Sequence, residues 1–504
     1  MASATMTLDP GSVVGPVRPE IFGSFVEHLG RCVYTGIYEP GHPRADEDGF
    51  RTDVLDLVRE LGVTTIRYPG GNFVSGYRWE DGVGPRERRP RRLDLAWHST
   101  ETNEFGVDEF MRWARKASVE PMMAVNLGTR GIAEALDLVE YCNHAGGTEL
   151  SDRRRANGAA DPHGVRLWCL GNELDGPWQL GHKTAREYGR LAAETARAMR
   201  MIDPGLTLVA CGSSGSAMPT FGQWERTVLE EAYDLVDMVS AHAYYQEVDG
   251  DLGSFLASPV DVDGFVATVA AAADEVGSAR VATKQIAVSF DEWNVWYQGG
   301  APSQVPTGDD WPVAPRLLED RYNVADAVVV GGLLVSLLRN ADRVHAACLA
   351  QLVNVIAPIM TEPGGAAWKQ TIFHPFSLTA TRARGDVLAA RIDGPTYETA
   401  RYGTVPTVDA VATHDAEAGV VDLFVVNRST EGPSRLEVDL RAFADVRLRE
   451  AVTLANPDHT RVATSVPDAS VAPRPNRSAT VGSGVLSVDV PAVSWSSVRL
   501  STRG

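Results

Sequence analysis

Cysteine is scarce in this chain: five residues in 504, at positions 32, 142, 169, 211 and 348, widely spaced and with no Cys-x-x-Cys. That excludes a disulfide framework and a thiolate metal knot, and leaves buried free thiols in a reducing compartment as the expectation. Net positive charge is also absent. The formal charge is −19, which argues against a nucleic-acid partner. The one basic run, Arg86 to Arg92, is broken by Glu87 and Pro90 and is read as a solvated loop. No apolar run is long enough to span a bilayer. Ala325 to Leu338 comes nearest, and its length and Asp326 make it a buried helix. Met1 to Pro10 has neither a basic start nor an apolar stretch, so no signal peptide is expected and the protein is placed in the cytoplasm, away from membranes.

Catalytic signatures are missing too. No glycine-rich turn follows the first strand candidate, where the chain reads Glu27-His28-Leu29-Gly30, so a dinucleotide-binding open sheet is disfavoured. A metal-dependent barrel hydrolase would show His-x-His there and further ligands at later strand ends, whereas the only other strand-end histidine is His242. Ser213-Ser214-Gly215 is no nucleophile elbow.

What is present is an alternation. Apolar strand candidates at 21–28, 64–69, 121–127, 165–173, 207–211, 238–244, 285–293 and 344–353 are separated by amphipathic helices at 52–61, 107–117, 132–145, 185–201, 221–233, 260–276 and 321–340. Eight strands alternating with helices predict an α/β fold, a (β/α)8 barrel of the TIM type. Long connections at 70–103 and 299–319 follow strand C-termini, where they would shape a cleft. After about Ser377 the helical period stops. Short alternating runs at 420–426, 435–440, 446–454, 484–490 and 494–500 predict an antiparallel β-sandwich. The expected division is a catalytic barrel over 19–377 and a sandwich over 378–504.

Two strands end on glutamates: Leu167-Trp168-Cys169-Leu170-Gly171-Asn172-Glu173 and Ile286-Ala287-Val288-Ser289-Phe290-Asp291-Glu292-Trp293. A carboxylate closing a nearly continuous apolar strand must emerge at the barrel mouth or be paired. Strands four and seven lie across the barrel from each other, so Glu173 and Glu292 can converge over its axis. Neighbouring strand residues face opposite ways, so only one of Asp291 and Glu292 should point inward; Glu292 is taken as chemical and Asp291 as structural. A retaining glycosidase needs two such groups about 5–5.5 Å apart. Arg67 at the end of strand two needs a carboxylate partner. Glu27, Asn72, Tyr244 and Gln351 complete a polar ring at the same end; Trp97, Trp178, Trp293 and Trp296 fall in or beside these loops, where an aromatic face suits a sugar ring, with ordinary packing the favoured role for each taken alone. A non-catalytic sugar-binding barrel would not need both glutamates.

At these residues the chain resembles glycoside hydrolase family 51, the α-L-arabinofuranosidases. The likeness rests on Glu27-His28, Arg67-Tyr68-Pro69-Gly70-Gly71-Asn72, Trp97-His98-Ser99-Thr100-Glu101-Thr102-Asn103, Gly171-Asn172-Glu173-Leu174-Asp175-Gly176-Pro177-Trp178, His242-Ala243-Tyr244-Tyr245, Phe290-Asp291-Glu292-Trp293-Asn294-Val295-Trp296-Tyr297, Gln351-Leu352-Val353-Asn354-Val355 and Thr371-Ile372-Phe373-His374-Pro375-Phe376. The resemblance implies a retaining, exo-acting enzyme that removes terminal α-L-arabinofuranosyl groups from arabino-oligosaccharides or arabinoxylan fragments. Other retaining barrel activities, such as β-xylosidase, endoglucanase or galactofuranosidase, are the alternative. It implies Glu173 as general acid/base and Glu292 as nucleophile. Glu27, Arg67, Asn72, Asn172, Tyr244 and Gln351 would hold the terminal sugar or orient the carboxylates, with Trp97 and Trp296 on the leaving-group side. It further implies a jelly-roll second domain joined by residues 1–18, no metal or cofactor, and a homo-oligomer, commonly a hexamer. Where the family reads Trp-Lys-Ser, this chain has Trp97-His98-Ser99.

Overall fold

The structure, a computed structural model, describes residues 2–298 and 304–502. The first five residues of the long connection expected at 299–319 therefore lie outside the described residues.

Eight parallel strands close into a barrel: β1 (Gly23–Phe25), β2 (Thr65–Tyr68), β3 (Glu120–Ala124), β4 (Leu167–Leu170), β5 (Thr207–Ala210), β6 (Met238–Tyr245), β7 (Ala287–Val295) and β8 (Val344–Leu349). Each pairs with its chain neighbours, and β8 returns to β1 through Cys348–Gly23 and Leu349–Ser24. These strands are almost wholly buried because helices cover the outside and side chains fill the inside, which is why they read as apolar runs. The helices between them show one apolar stripe. In Ala185–Ile202 that stripe is Tyr188, Ala192, Ala196 and Met199, and Thr184 caps the helix by accepting from the Glu187 amide. Such a cap contributes about 1 kcal/mol.

The strands are shorter than the apolar runs. β4 stops at Leu170, and Gly171 (φ 100°) and Glu173 (φ 44°) turn the chain over the barrel mouth. β1 keeps only Gly23–Phe25, since Pro19–Phe22 forms a 3-10 turn. The helix Glu149–Ala156 has no apolar stripe to reveal it; buried Arg154 holds it in place by donating to the carbonyls of Tyr141, His144, Ala145 and Ala159. The basic run also departs from expectation. Arg89 is not solvated but donates to Glu109 (3.0 and 3.1 Å) and to the Gly84 carbonyl, tying the loop to the helix Val107–Ala117.

The chain leaves the barrel through the helix Phe373–Arg382 and builds two stacked sheets. One has seven strands and includes Val408–Asp415, Val420–Asn427, Arg447–Ala455 and Ser494–Ser501. The other has five, and its N-terminal strand Ala2–Thr7 pairs parallel with Ser434–Asp439 and antiparallel with Arg391–Asp393. The helix Val324–Arg339 is buried almost end to end, because the barrel lies on one side of it and the seven-stranded sheet on the other. Gly331 makes that contact possible: a Cβ there would come within 2.1 Å of the Trp495 ring. All five cysteines are buried and free.

Candidate active site

The mouth of the barrel is assembled from the ends of its strands. At β2, Arg67 is buried, and its guanidinium reaches across the axis. Nη1 donates to Glu292 Oε1 (2.8 Å), Nη2 donates to Asn172 Oδ1 (2.7 Å), and Nε lies 3.7 Å from Asp291 Oδ2. Burial alone would weaken its charge, but Asp291 and Glu292 outweigh that and hold the guanidinium firmly protonated. The second Glu292 oxygen accepts from Tyr244 Oη at 2.7 Å.

Glu173 faces this pair. Its Oε1 is 2.8 Å from His242 Nδ1, and its Oε2 accepts from Trp178 Nε1 at 2.8 Å. An oxygen of Glu173, one of Glu292 and a ring nitrogen of His242 all lie within 4.8 Å of one another. Glu173 sits in the left-handed region, uncommon for a residue with a side chain, and such strain concentrates at functional positions.

Both Asp291 and Glu292 turn inward, against the expectation that only one would. The ladder between β7 and β8 shifts register between Phe290 and Trp293, and that between β6 and β7 shifts at Ser240/His242. A bulge of this kind breaks strict alternation and re-aims a side chain. Asp291 then binds His242 Nε2 at 3.1 Å and approaches Arg67, whose charge keeps its carboxyl low against the upward push of burial.

Sequence reasoning had not given His242 a place among the site residues. Glu173 stands on one ring nitrogen and Asp291 on the other, an arrangement that a doubly protonated ring satisfies by donating from both. Burial pushes its pKa down, but Glu292, Asp291 and Glu173 together lift it to about 10. The three-residue set Glu173, His242 and Glu292 also has the spacing of a metal site. The signal was present in the strand period, since His242 and Tyr244 fall on one face of β6. Trp178, the donor to Glu173, was likewise readable from its place five residues further on. The acidic run Asp46-Glu47-Asp48 gathers instead around Lys116 Nζ (2.7, 2.9 and 2.7 Å).

Glu27, just past β1, collects three donors: the Phe73 amide (2.9 Å), Trp97 Nε1 (2.8 Å) and Gln351 Nε2 (2.9 Å). Burial outweighs them and raises its pKa to about 8. Gly71 lets the chain pass over it, since a Cβ there would meet Glu27 Oε2 at 2.9 Å. Asn72 accepts from Asn172 Nδ2 at 3.3 Å, and Trp296 packs edge-on to Tyr244 at 5.1 Å. A cleft of about 480 Å³ opens above, lined by Glu27, Asn72, Trp97, Glu173, Tyr244, Glu292, Trp296 and Gln351, with Trp178 (53% exposed) at its edge. Arg67 and Asn172 lie beneath it as buried supports.

His242 couples the site to stability. Its folded pKa lies above its ordinary 6.5, so its contribution is fully present below pH 6.5, declines as pH rises, and is gone above about 10. The expected result is a melting-temperature gap between wild type and His242→Gln that is widest near pH 6 and shrinks toward pH 10, read by calorimetry. A gap constant across that range would show the ring to be neutral.

A closed parallel barrel whose strand ends surround a cleft with two facing carboxylates is the architecture of the barrel glycoside hydrolases. Residues 57–257 match the "Alpha-L-arabinofuranosidase 1 domain" model and residues 291–494 the "Alpha-L-arabinofuranosidase C-terminal domain" model. An intracellular exo-α-(1→5)-L-arabinofuranosidase of Streptomyces lividans is 59% identical over 99% of this chain and 75% of its own length. An exo-α-(1→6)-L-arabinofuranosidase of Bifidobacterium longum is 57% identical over 99% and 98%. The solved structure of a family 51 α-L-arabinofuranosidase from Bifidobacterium longum superposes with a TM-score of 0.95 at 51% identity, covering 99% of each chain. The chain belongs to glycoside hydrolase family 51, the α-L-arabinofuranosidases.

Proposed function

We propose that the protein is a retaining, exo-acting α-L-arabinofuranosidase that removes terminal arabinofuranosyl groups from arabino-oligosaccharides or arabinoxylan fragments. The observation that carries this is the approach of Glu173 and Glu292 to within 4.8 Å, oxygen to oxygen. Inverting enzymes hold their carboxyl groups about 6.5–9.5 Å apart to admit a water, and retaining enzymes about 5–5.5 Å. In the first step a Glu292 oxygen attacks the anomeric carbon, the glycosidic bond breaks, and Glu173 gives its proton to the departing oxygen. In the second, Glu173 takes a proton from water, the water oxygen attacks the same carbon, and the ester to Glu292 breaks. Arg67 and Tyr244 hold Glu292 as the attacking anion. His242 stands ready to stabilise the charge that appears on Glu173 after proton transfer. Glu27, in its neutral form, can offer a hydroxyl proton to the sugar while Gln351 and Trp97 fix its orientation.

The relatives, an intracellular exo-α-(1→5)-L-arabinofuranosidase and an exo-α-(1→6)-L-arabinofuranosidase, support an exo action on arabinosyl substrates, and the first supports action on fragments inside the cell. Among the described residues no helix is long and apolar enough to cross a membrane. The deciding measurement is NMR of the sugar released from an aryl α-L-arabinofuranoside at early times. The α-anomer is expected first; the β-anomer appearing first would overturn the double displacement.

A further inference from the structure

The hairpin Arg92–Asp94/Ser99–Glu101 lies in the long connection after β2, and its turn brings Leu95, Ala96 and Trp97 to the wall of the catalytic cleft. Trp97 commits its indole N–H to Glu27 Oε1 at 2.8 Å. The next residue, His98, engages a different segment. Its ring stacks on the Trp311 indole, with centroids 3.7 Å apart and planes inclined by 21°. Its Nε2 lies 3.0 Å from the Gly308 carbonyl oxygen, which can only accept, so the ring donates. Thr100 adds two bonds to the same segment, from its amide to the Pro312 carbonyl (3.0 Å) and from its hydroxyl to the Trp311 carbonyl (2.7 Å).

Residues 308–312 belong to the connection after β7, the strand that carries Glu292. In the closed barrel β7 and β2 are separated by β8 and β1, the strands followed by Gln351 and Glu27. The clasp therefore joins two parts of the rim on either side of the Glu27–Gln351 pair, which is itself bonded at 2.9 Å. Within the turn the remaining side-chain bonds are local: Asp94 accepts from the Ala96 amide (3.0 Å) and from the Ser99 hydroxyl (3.3 Å). His98 also holds a left-handed backbone, with φ 50°. That conformation is uncommon for a residue with a side chain and persists where the surroundings over-determine it.

We propose that His98 is a positioning residue for the terminal-sugar site: its clasp on Trp311 and Gly308 keeps the hairpin turn seated, so that Trp97 stays on Glu27 and Glu27 keeps one orientation toward the sugar. The inference rests on the proposed reading of the cleft as a glycosidase site. Without the clasp the turn samples positions in which Trp97 has left Glu27, and the apparent affinity falls in proportion to the fraction still seated. Glu173 and Glu292 are held by Arg67, Tyr244, His242 and Trp178, none of them on the hairpin, so the loss belongs in KM rather than in kcat.

The experiment is kcat and KM for an aryl α-L-arabinofuranoside in wild type, His98→Ala, His98→Phe, Trp97→Phe and the double variant Trp97→Phe/His98→Ala. KM is expected to rise about tenfold in His98→Ala and about threefold in His98→Phe, which keeps a ring for Trp311 but has no N–H for Gly308. Trp97→Phe already removes the donor to Glu27, so loss of His98 in that background should raise KM by no more than about twofold further. An unchanged KM in His98→Ala overturns the assignment. So does a rise just as large in the Trp97→Phe background, which would make His98 independent of Trp97, or a loss confined to kcat. Wild type inert toward the aryl arabinofuranoside would instead overturn the proposed function, which separates the two failures.

Discussion

Glu292→Ala is expected to abolish turnover of every arabinofuranoside, a loss on the order of 10⁴-fold or more in kcat. No other carboxylate can take its place. Asp291 is adjacent in sequence, but it is engaged by His242 and faces Arg67 Nε from below the cleft. Glu27 lies under the Gly70–Gly71 turn with three donors on it. The substitution has a structural cost, since Arg67 Nη1 and Tyr244 Oη lose their acceptor. Breaking a buried pair costs roughly 3–5 kcal/mol. Glu292→Gln separates that cost from the chemistry: its amide oxygen still accepts from Arg67, and its amide nitrogen donates to Tyr244 Oη, whose hydroxyl turns from donor to acceptor, so both partners stay engaged while the nucleophile is gone. Both variants should be inactive, and Glu292→Gln should melt close to wild type. Azide adds a positive readout. In Glu292→Ala a small anion can enter from the vacated face and displace the leaving group once, giving the β-arabinofuranosyl azide. Wild-type turnover in either variant would remove Glu292 from the mechanism.

How much of this was legible in the chain depends on which physical signal a residue leaves. The barrel was legible because each of its strands is buried on both faces and most of its helices on one, and those two conditions write different periods into the sequence. Glu27, Arg67, Glu292 and Gln351 stood out as polar residues closing or following apolar runs, and the structure brings all four together at one mouth. Strict alternation failed at Asp291-Glu292, where register shifts between neighbouring strands turn both side chains inward; nothing local in Phe290-Asp291-Glu292-Trp293 announces a bulge. His242 was visible as a strand-end residue, but its charge depends on Glu173 and Asp291, which are 69 and 49 positions away. The helix Glu149–Ala156 was hidden because a buried arginine, rather than an apolar stripe, secures it. Strand Ala2–Thr7 finds its parallel partner at Ser434–Asp439, a pairing of such separation that no window of sequence contains it.

Glu173→Ala should behave differently from Glu292→Ala, and the difference is diagnostic. The first step needs a proton only when the leaving group is poor. With a phenol of low pKa the glycosyl-enzyme should form at close to the wild-type rate, whereas for an arabino-oligosaccharide kcat/KM should fall by about 10²–10⁴-fold. The second step lacks its base for every substrate, so the ester to Glu292 should accumulate and be detectable by mass spectrometry after a burst of phenol. Azide needs no base. It should restore turnover of the activated aryl glycoside by attacking the intermediate, and because two displacements have then occurred the product is the α-azide. Opposite anomers from the two variants would assign the glutamates without reference to rates. The fold should tolerate the change, since Trp178 is at the cleft edge and can donate to water, while His242 retains Asp291. A β-azide from Glu173→Ala, or full activity on oligosaccharides, would exchange or remove the roles assigned to the pair.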